Sequence, residues 1–150
     1  ENLHNQTWRF NFKGVRYLEK KNNIEVFGAI DDLWIDNDTK KIIVVDYKAT
    51  SKKDEVSLDA EWQISYKRQM EIYQWLFKKN GFEVSDTSYF VYCNGIRSKE
   101  RFDKKLEFTI ILIPYKGNTD WVGNTLKSIH ENLNSDISPN LNDECEWCRY

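Results

Sequence analysis

Two aspartates and a lysine stand out in a stretch that is otherwise apolar. Ile24-Glu25-Val26-Phe27-Gly28-Ala29-Ile30 leads into Asp31-Asp32-Leu33-Trp34-Ile35, and the turn signal Asp36-Asn37-Asp38-Thr39-Lys40 leads into Lys41-Ile42-Ile43-Val44-Val45-Asp46-Tyr47-Lys48. A turn centred between Asp38 and Thr39 puts Asp31 as far before the centre as Asp46 lies after it. The two carboxylates then face one another across an antiparallel hairpin, with Cβ atoms roughly 4.5–5.5 Å apart. Side chains alternate along a strand, so Lys48 shares the face of Asp46 and Asp32 points to the other face. A turn shifted by one residue would break this arrangement.

Opposed carboxylates repel and lose solvation on burial, so something must compensate them. A divalent cation does so directly, and hard carboxylate oxygens suit Mg²⁺ or Mn²⁺. Such an ion polarises a phosphoryl oxygen and lowers the pKa of water. A neighbouring lysine can orient or deprotonate that water, or stabilise the charge that develops at phosphorus. Spacing alone is equally satisfied by a plain ion pair of one aspartate with Lys48 or an arginine.

The elements that must hold these groups follow from periodicity. From about Gly14 to Lys48 the chain reads as strand, rich in β-branched residues towards its end. Apolar residues at both parities predict central strands covered on both faces. Residues 49–60 read as a polar loop. From Glu61 to Lys79 the period becomes helical, with Tyr66, Met70, Tyr73 and Phe77 recurring at three and four, and Asn80-Gly81 as the stop. Strands from Thr87 to Cys93 and Leu106 to Tyr115 follow, separated by a charged hairpin. Asp120 is expected to cap a last helix running to about Asn132. The predicted order is three strands, a helix, two strands and a helix in one α/β domain spanning 1–150, with a mixed central sheet flanked by helices.

The 150 residues are 40% hydrophobic and 15% aromatic, which excludes a disordered tail and supplies a core without disulfides. A net charge of -2 argues against whole-surface affinity for nucleic acid and leaves a local basic groove open. No apolar run is long enough for a membrane span. Three cysteines and no secretory leader point to the cytoplasm. The chain starts at Glu1 and stops just after Cys145-Glu146-Trp147-Cys148, so both ends read as clipped.

Gly28-Ala29-Ile30-Asp31, then Asp46-Tyr47-Lys48, then Gln69-x-x-x-Tyr73 on a helix together resemble the PD-(D/E)XK nuclease superfamily. The nearest branch is the RecB-like exonuclease group, in which these three pieces recur in this order. The resemblance is strong from about Val26 to Phe77, weaker over the later strands, and fits again at the tail. It implies a restriction-endonuclease-like core whose antiparallel hairpin is catalytic. By position, Asp31 and Asp46 would be metal ligands, the Tyr47 main-chain carbonyl a third, and Lys48 the catalytic lysine. Gln69 and Tyr73, one helical turn apart, would lie beside the site, with Gln69 on the substrate or the attacking water. The implied cofactor is Mg²⁺ or Mn²⁺ and the implied partner is single- or double-stranded DNA. The implied setting is a larger repair, recombination or phage-type protein that carries a helicase or another domain. Packing alone would also account for Tyr73.

The sequence departs from the family at two places. Many members carry a further acid or His on a helix before the first strand, and here only Glu1 and His4 are available for that part. Cys145 and Cys148 make half of a metal site. Some RecB-like members hold an iron–sulfur cluster on four cysteines, which would require a longer parent chain here. Basic residues gather at Lys48, Lys52 and Lys53, at Lys67 and Arg68, and at Arg97, Lys99, Arg101, Lys104 and Lys105. Lys52 and Lys53 leave the proposed site directly and are the expected phosphate contacts. The competing reading is a non-catalytic nuclease-like module for DNA binding or protein assembly.

Overall fold

A computed structural model describes residues 6–98, 104–141 and 145. The chain forms β1 (Val15–Glu19), β2 (Ile24–Gly28), β3 (Asp32–Ile35) and β4 (Ile42–Thr50), then α1 (Ile64–Lys79), β5 (Thr87–Gly95), β6 (Phe108–Lys116) and α2 (Asp120–Leu133). Short 3₁₀ turns occupy Gln6–Arg9 and Glu61–Gln63. β1 and β2 pair as an antiparallel hairpin, and the other four strands form a mixed sheet in the order β3-β4-β5-β6. Among the described strands, β4 and β5 pair in parallel, with α1 as the connection between them, and the other strand pairs are antiparallel.

The β3–β4 register is the expected one: Asp32 pairs with Val45 and Ile35 with Ile42. Local turn chemistry sets it. Asp36 Oδ1 accepts from the amides of Asp38 (3.0 Å) and Thr39 (2.7 Å), and Lys40 takes a positive φ of 61° to close the loop. The four-residue excursion is thereby centred between Asp38 and Thr39, and each strand residue meets its counterpart.

Three expectations need correction. The run from Ile24 to Ile35 is two strands, because the chain bends at residues 29–31 between β2 and β3. β3 is an edge strand of the four-stranded sheet, and the face away from α1 exposes Tyr47, Phe108, Ile110 and Leu112. Of the two runs with apolar residues at both parities, β4 is central and buries both Val44 and Val45 as expected, whereas the Ile24–Ile35 run is not a central strand; β2 packs against α1 as part of a separate hairpin. Thr119, not Asp120, sits at the N-cap of α2, with the Asp120 amide donating to Asn118 Oδ1 at 2.9 Å.

α1 ends as expected. Gly81 has φ 87° and the Phe82 amide reaches back to the Phe77 carbonyl at 3.1 Å. The core lies between α1 and the sheet, with Met70, Leu76, Phe77, Val44 and Phe90 fully buried. Trp8 closes one end of it, edge-on to Phe77 at 5.0 Å and to Phe82 at 5.6 Å. The Trp8 carbonyl also accepts the Ile30 amide at 3.1 Å, which anchors the bend that carries Asp31.

Candidate active site

β4 presents Val44, Asp46 and Lys48 to the α1 side of the sheet and Tyr47 to the other. Asp46 is only 4% exposed. Lys48 Nζ lies 2.6 Å from Asp46 Oδ2, an ion pair whose direction is outside hydrogen-bond geometry, so this buried oxygen keeps no well-aligned donor. Burial pushes the Asp46 carboxyl above its ordinary value. Lys48 pulls against that push, and the charge of Asp31 adds to it. Asp31, exposed at the end of the hairpin, accepts the Tyr47 amide on Oδ2 at 2.8 Å. The charges of Asp31 and Asp46 add to the upward push that burial gives the Tyr73 phenol.

Tyr47 works in both directions. Its amide is aimed at Asp31, and a strand residue directs its N–H and C=O to the same side, so its carbonyl faces the edge where β3 has ended. Its hydroxyl, on the opposite face, donates to Asp32 Oδ2 at 2.8 Å. Asp32 also accepts from Arg9 and from the Leu33 amide. Burial raises the Asp32 carboxyl, but the bonds from Tyr47 and Leu33 and the Arg9 charge outweigh it and hold it below the usual range. Asp32 therefore braces the outer face, as its parity predicted.

From α1, Gln69 Nε2 donates to the Tyr73 hydroxyl at 2.8 Å. Tyr73 is buried in the core and its phenol is pushed up, mainly by that burial. Gly28 explains how the ring comes so near the strand: a Cβ there would lie 2.6 Å from Tyr73 Cε1. One turn earlier, Tyr66 carries the Lys48 ammonium over its ring at 4.5 Å. Lys52 follows on the loop, where Asn94 grips its backbone through the amide (2.8 Å) and the carbonyl (3.2 Å). Lys53 is exposed beside it.

The structure thus brings together Asp31, Asp46, Tyr47, Lys48, Gln69 and Tyr73, with Lys52 and Lys53 beyond them. Glu1, His4, Lys99, Arg101 and Cys148 lie outside the described residues. Cys145 is half-buried, and Cys93 stands in β5. Among the described residues no group of three or more His, Cys, Asp or Glu gathers at one point. The donors fit a hard divalent ion all the same: two carboxylates, one with a buried oxygen lacking an aligned donor, beside a main-chain carbonyl. A cleft of ≈ 450 Å³ between residues 55–59, Lys67 and β6 contains none of these groups.

Sequence reasoning missed Gln63, Trp62 and Glu71. Gln63 is buried, donates to the Ser57 carbonyl at 2.8 Å and accepts the Ala60 amide at 3.0 Å, fixing the entry to α1. Its signal was a glutamine three residues after the helix-entry position Ala60. Trp62 stands four residues before Tyr66 and seven before Gln69, a spacing readable as one helix face.

The profile of the PD-(D/E)XK nuclease superfamily matches residues 3–150. The chain belongs to that superfamily, and its mixed sheet with the β3–β4 hairpin and flanking helices is a restriction-endonuclease-like core. No curated protein and no solved structure matches it. Among the described residues no helix is long and apolar enough to cross a membrane.

Proposed function

We propose that this domain hydrolyses DNA phosphodiester bonds with Mg²⁺ or Mn²⁺, as a nuclease of the RecB-like exonuclease type. The observation that carries the reading is the gathering at the end of the hairpin of Asp31, bound to the Tyr47 amide at 2.8 Å, and Asp46, with the Lys48 ammonium 2.6 Å from Asp46. Asp31, Asp46 and the Tyr47 carbonyl would hold the ion. Bound there, it would supply a Lewis acid for the phosphoryl oxygen and a lowered pKa for water.

The protein's own groups do the rest. Lys48, held between Asp46 and the Tyr66 ring, positions the attacking water and stabilises negative charge at phosphorus. Gln69 spends one amide hydrogen on Tyr73, which leaves a second donor and its oxygen for the substrate. Lys52 and Lys53 take the flanking phosphates. The same reading places the domain in the cytoplasm, joined to a helicase or another module of a repair, recombination or phage-type protein.

Single-turnover cleavage of labelled single- and double-stranded DNA tests this. Wild-type protein should cleave with Mg²⁺ or Mn²⁺ and stop in EDTA. Lys48→Ala should lose ~10²–10⁴-fold in rate if the lysine gives general acid–base help. A second reading, a non-catalytic module, is favoured by the Asp46–Lys48 ion pair, which already neutralises one carboxylate. Normal DNA binding with no cleavage under any divalent ion would establish it.

A further inference from the structure

Trp62 is 57% exposed at the entry to α1, beside the candidate site and outside the core. Its ring meets Tyr66 edge-to-face at 5.3 Å and 82°. Tyr66 in turn carries the Lys48 ammonium, and Lys52 Nζ lies 5.8 Å from the Trp62 ring. Cation and aromatic alternate from Lys48 through Tyr66 and Trp62 to Lys52. Trp62 lies in the 3₁₀ turn just ahead of α1 and reaches α1 through its edge-on contact with Tyr66, which stands one turn before Gln69.

Neither end of this row is loose. The buried Gln63 ties the turn to Ser57, Ala60 and the Tyr92 hydroxyl. Asn94 fixes the backbone of Lys52, and Ser51 is bound to the Gly95 carbonyl at 3.1 Å. An indole with more than half its surface in water, held on a rigid frame between ammonium groups, does little for the fold. An aromatic face flanked by cations is what an unpaired nucleobase and its phosphates require.

We propose that Trp62, backed by Tyr66 and flanked by Lys52, is a stacking platform for an unpaired DNA base next to the scissile phosphate. The inference rests on the nuclease reading and deepens it by naming the substrate class. Trp62 precedes Gln69 by seven residues, about 11 Å through the 3₁₀ turn and the first turns of α1, within reach of a base on a neighbouring nucleotide. A base inside a duplex is stacked on its own neighbours and cannot lie on the indole. The platform therefore selects single strands and frayed ends over intact duplex.

The test is fluorescence anisotropy in EDTA with three labelled probes: oligothymidine, an abasic oligomer of the same length, and a blunt duplex. Wild-type protein should bind oligothymidine more tightly than either of the others. Trp62→Ala should weaken oligothymidine binding about 5- to 150-fold, the measured range for one stacked base. It should leave binding of the abasic probe unchanged, and Trp62→Phe should keep most of the binding. The proposal is overturned if Trp62→Ala binds oligothymidine as the parent does, or loses equal affinity for the abasic probe. Failure of the parent to bind oligothymidine also overturns it. Because no cleavage is involved, stacking without hydrolysis would count against the nuclease reading alone, and hydrolysis without Trp62 dependence against this inference alone.

Discussion

At the scale of single residues, Asp46 is the group on which stability and chemistry pull apart. Its folded pKa lies above the ordinary 3.8 because burial outweighs Lys48, and Asp31 adds repulsion. A carboxyl with a raised folded pKa takes up a proton on folding. Its contribution to stability is therefore full below the unfolded value and is lost as pH rises through the folded one. At neutral pH the charge on Asp46 costs the metal-free protein stability. Asp46→Asn should raise the midpoint of thermal unfolding in EDTA and flatten the fall in stability above the carboxylate range. Added Ca²⁺ at a hundred times its Kd should stabilise the wild type by about 2.7 kcal/mol and leave Asp46→Asn unmoved. Thermal scans across pH, with EDTA or Ca²⁺, read both effects; a lower midpoint for Asp46→Asn in EDTA would contradict the account.

At the scale of elements, the approach of α1 to the β2–β3 bend decides where Gln69 and Tyr73 stand. Gly28 is needed for room, not for a special backbone angle, since an added methyl would meet the buried Tyr73 ring at 2.6 Å. The ring is rigid and its hydroxyl is tied to Gln69, so the helix or the bend must shift. Gly28→Ala should cost about 1–3 kcal/mol, the range for overpacking a filled core. It should also disturb Gln69 and slow cleavage, whereas Gly81→Ala, with open space around it, acts only through backbone strain and leaves the rate alone. Urea unfolding and single-turnover rates for the two variants separate these effects. The hairpin itself was legible in the sequence because Asp36 and the following amides make a local turn, and a local turn fixes register without help from elsewhere.

At the scale of the whole molecule, the far end of the fold hangs on one buried carboxylate. Glu71 of α1 accepts the Tyr115 hydroxyl (2.6 Å), the Asn118 amide (3.0 Å) and the Trp121 indole N–H (2.7 Å). It joins α1 to β6, to the loop after it and to α2. Burial, with Glu71 beside it, pushes the Tyr115 phenol well up. Glu71→Ala would strand these donors and should cost about 2–4 kcal/mol, seen as a lower urea midpoint at unchanged slope. The sequence could not show this hub, because Glu71 lies 44 to 50 residues before its partners Tyr115, Asn118 and Trp121. Trp62 was hidden for a different reason: its helical spacing overlaps the core positions Tyr66 and Tyr73, so its face read as packing. β3 misled because residues at both parities are apolar whether a strand is central or lies at an edge beside a second hairpin. What local chemistry sets, the β3–β4 register and the end of α1 at Gly81, was readable. What long-range packing sets was not.

The central claim is that Asp31 and Asp46 together hold a divalent ion beside Lys48, and a crystal soaked in Mn²⁺ tests it most directly. The anomalous difference map should show Mn²⁺ bounded by Asp31, Asp46 and the Tyr47 carbonyl at roughly 2.0–2.2 Å, with the Lys48 ammonium drawn off the Asp46 oxygen it now contacts. A map with no peak there, and the Asp46–Lys48 pair still closed at saturating Mn²⁺, would contradict the account.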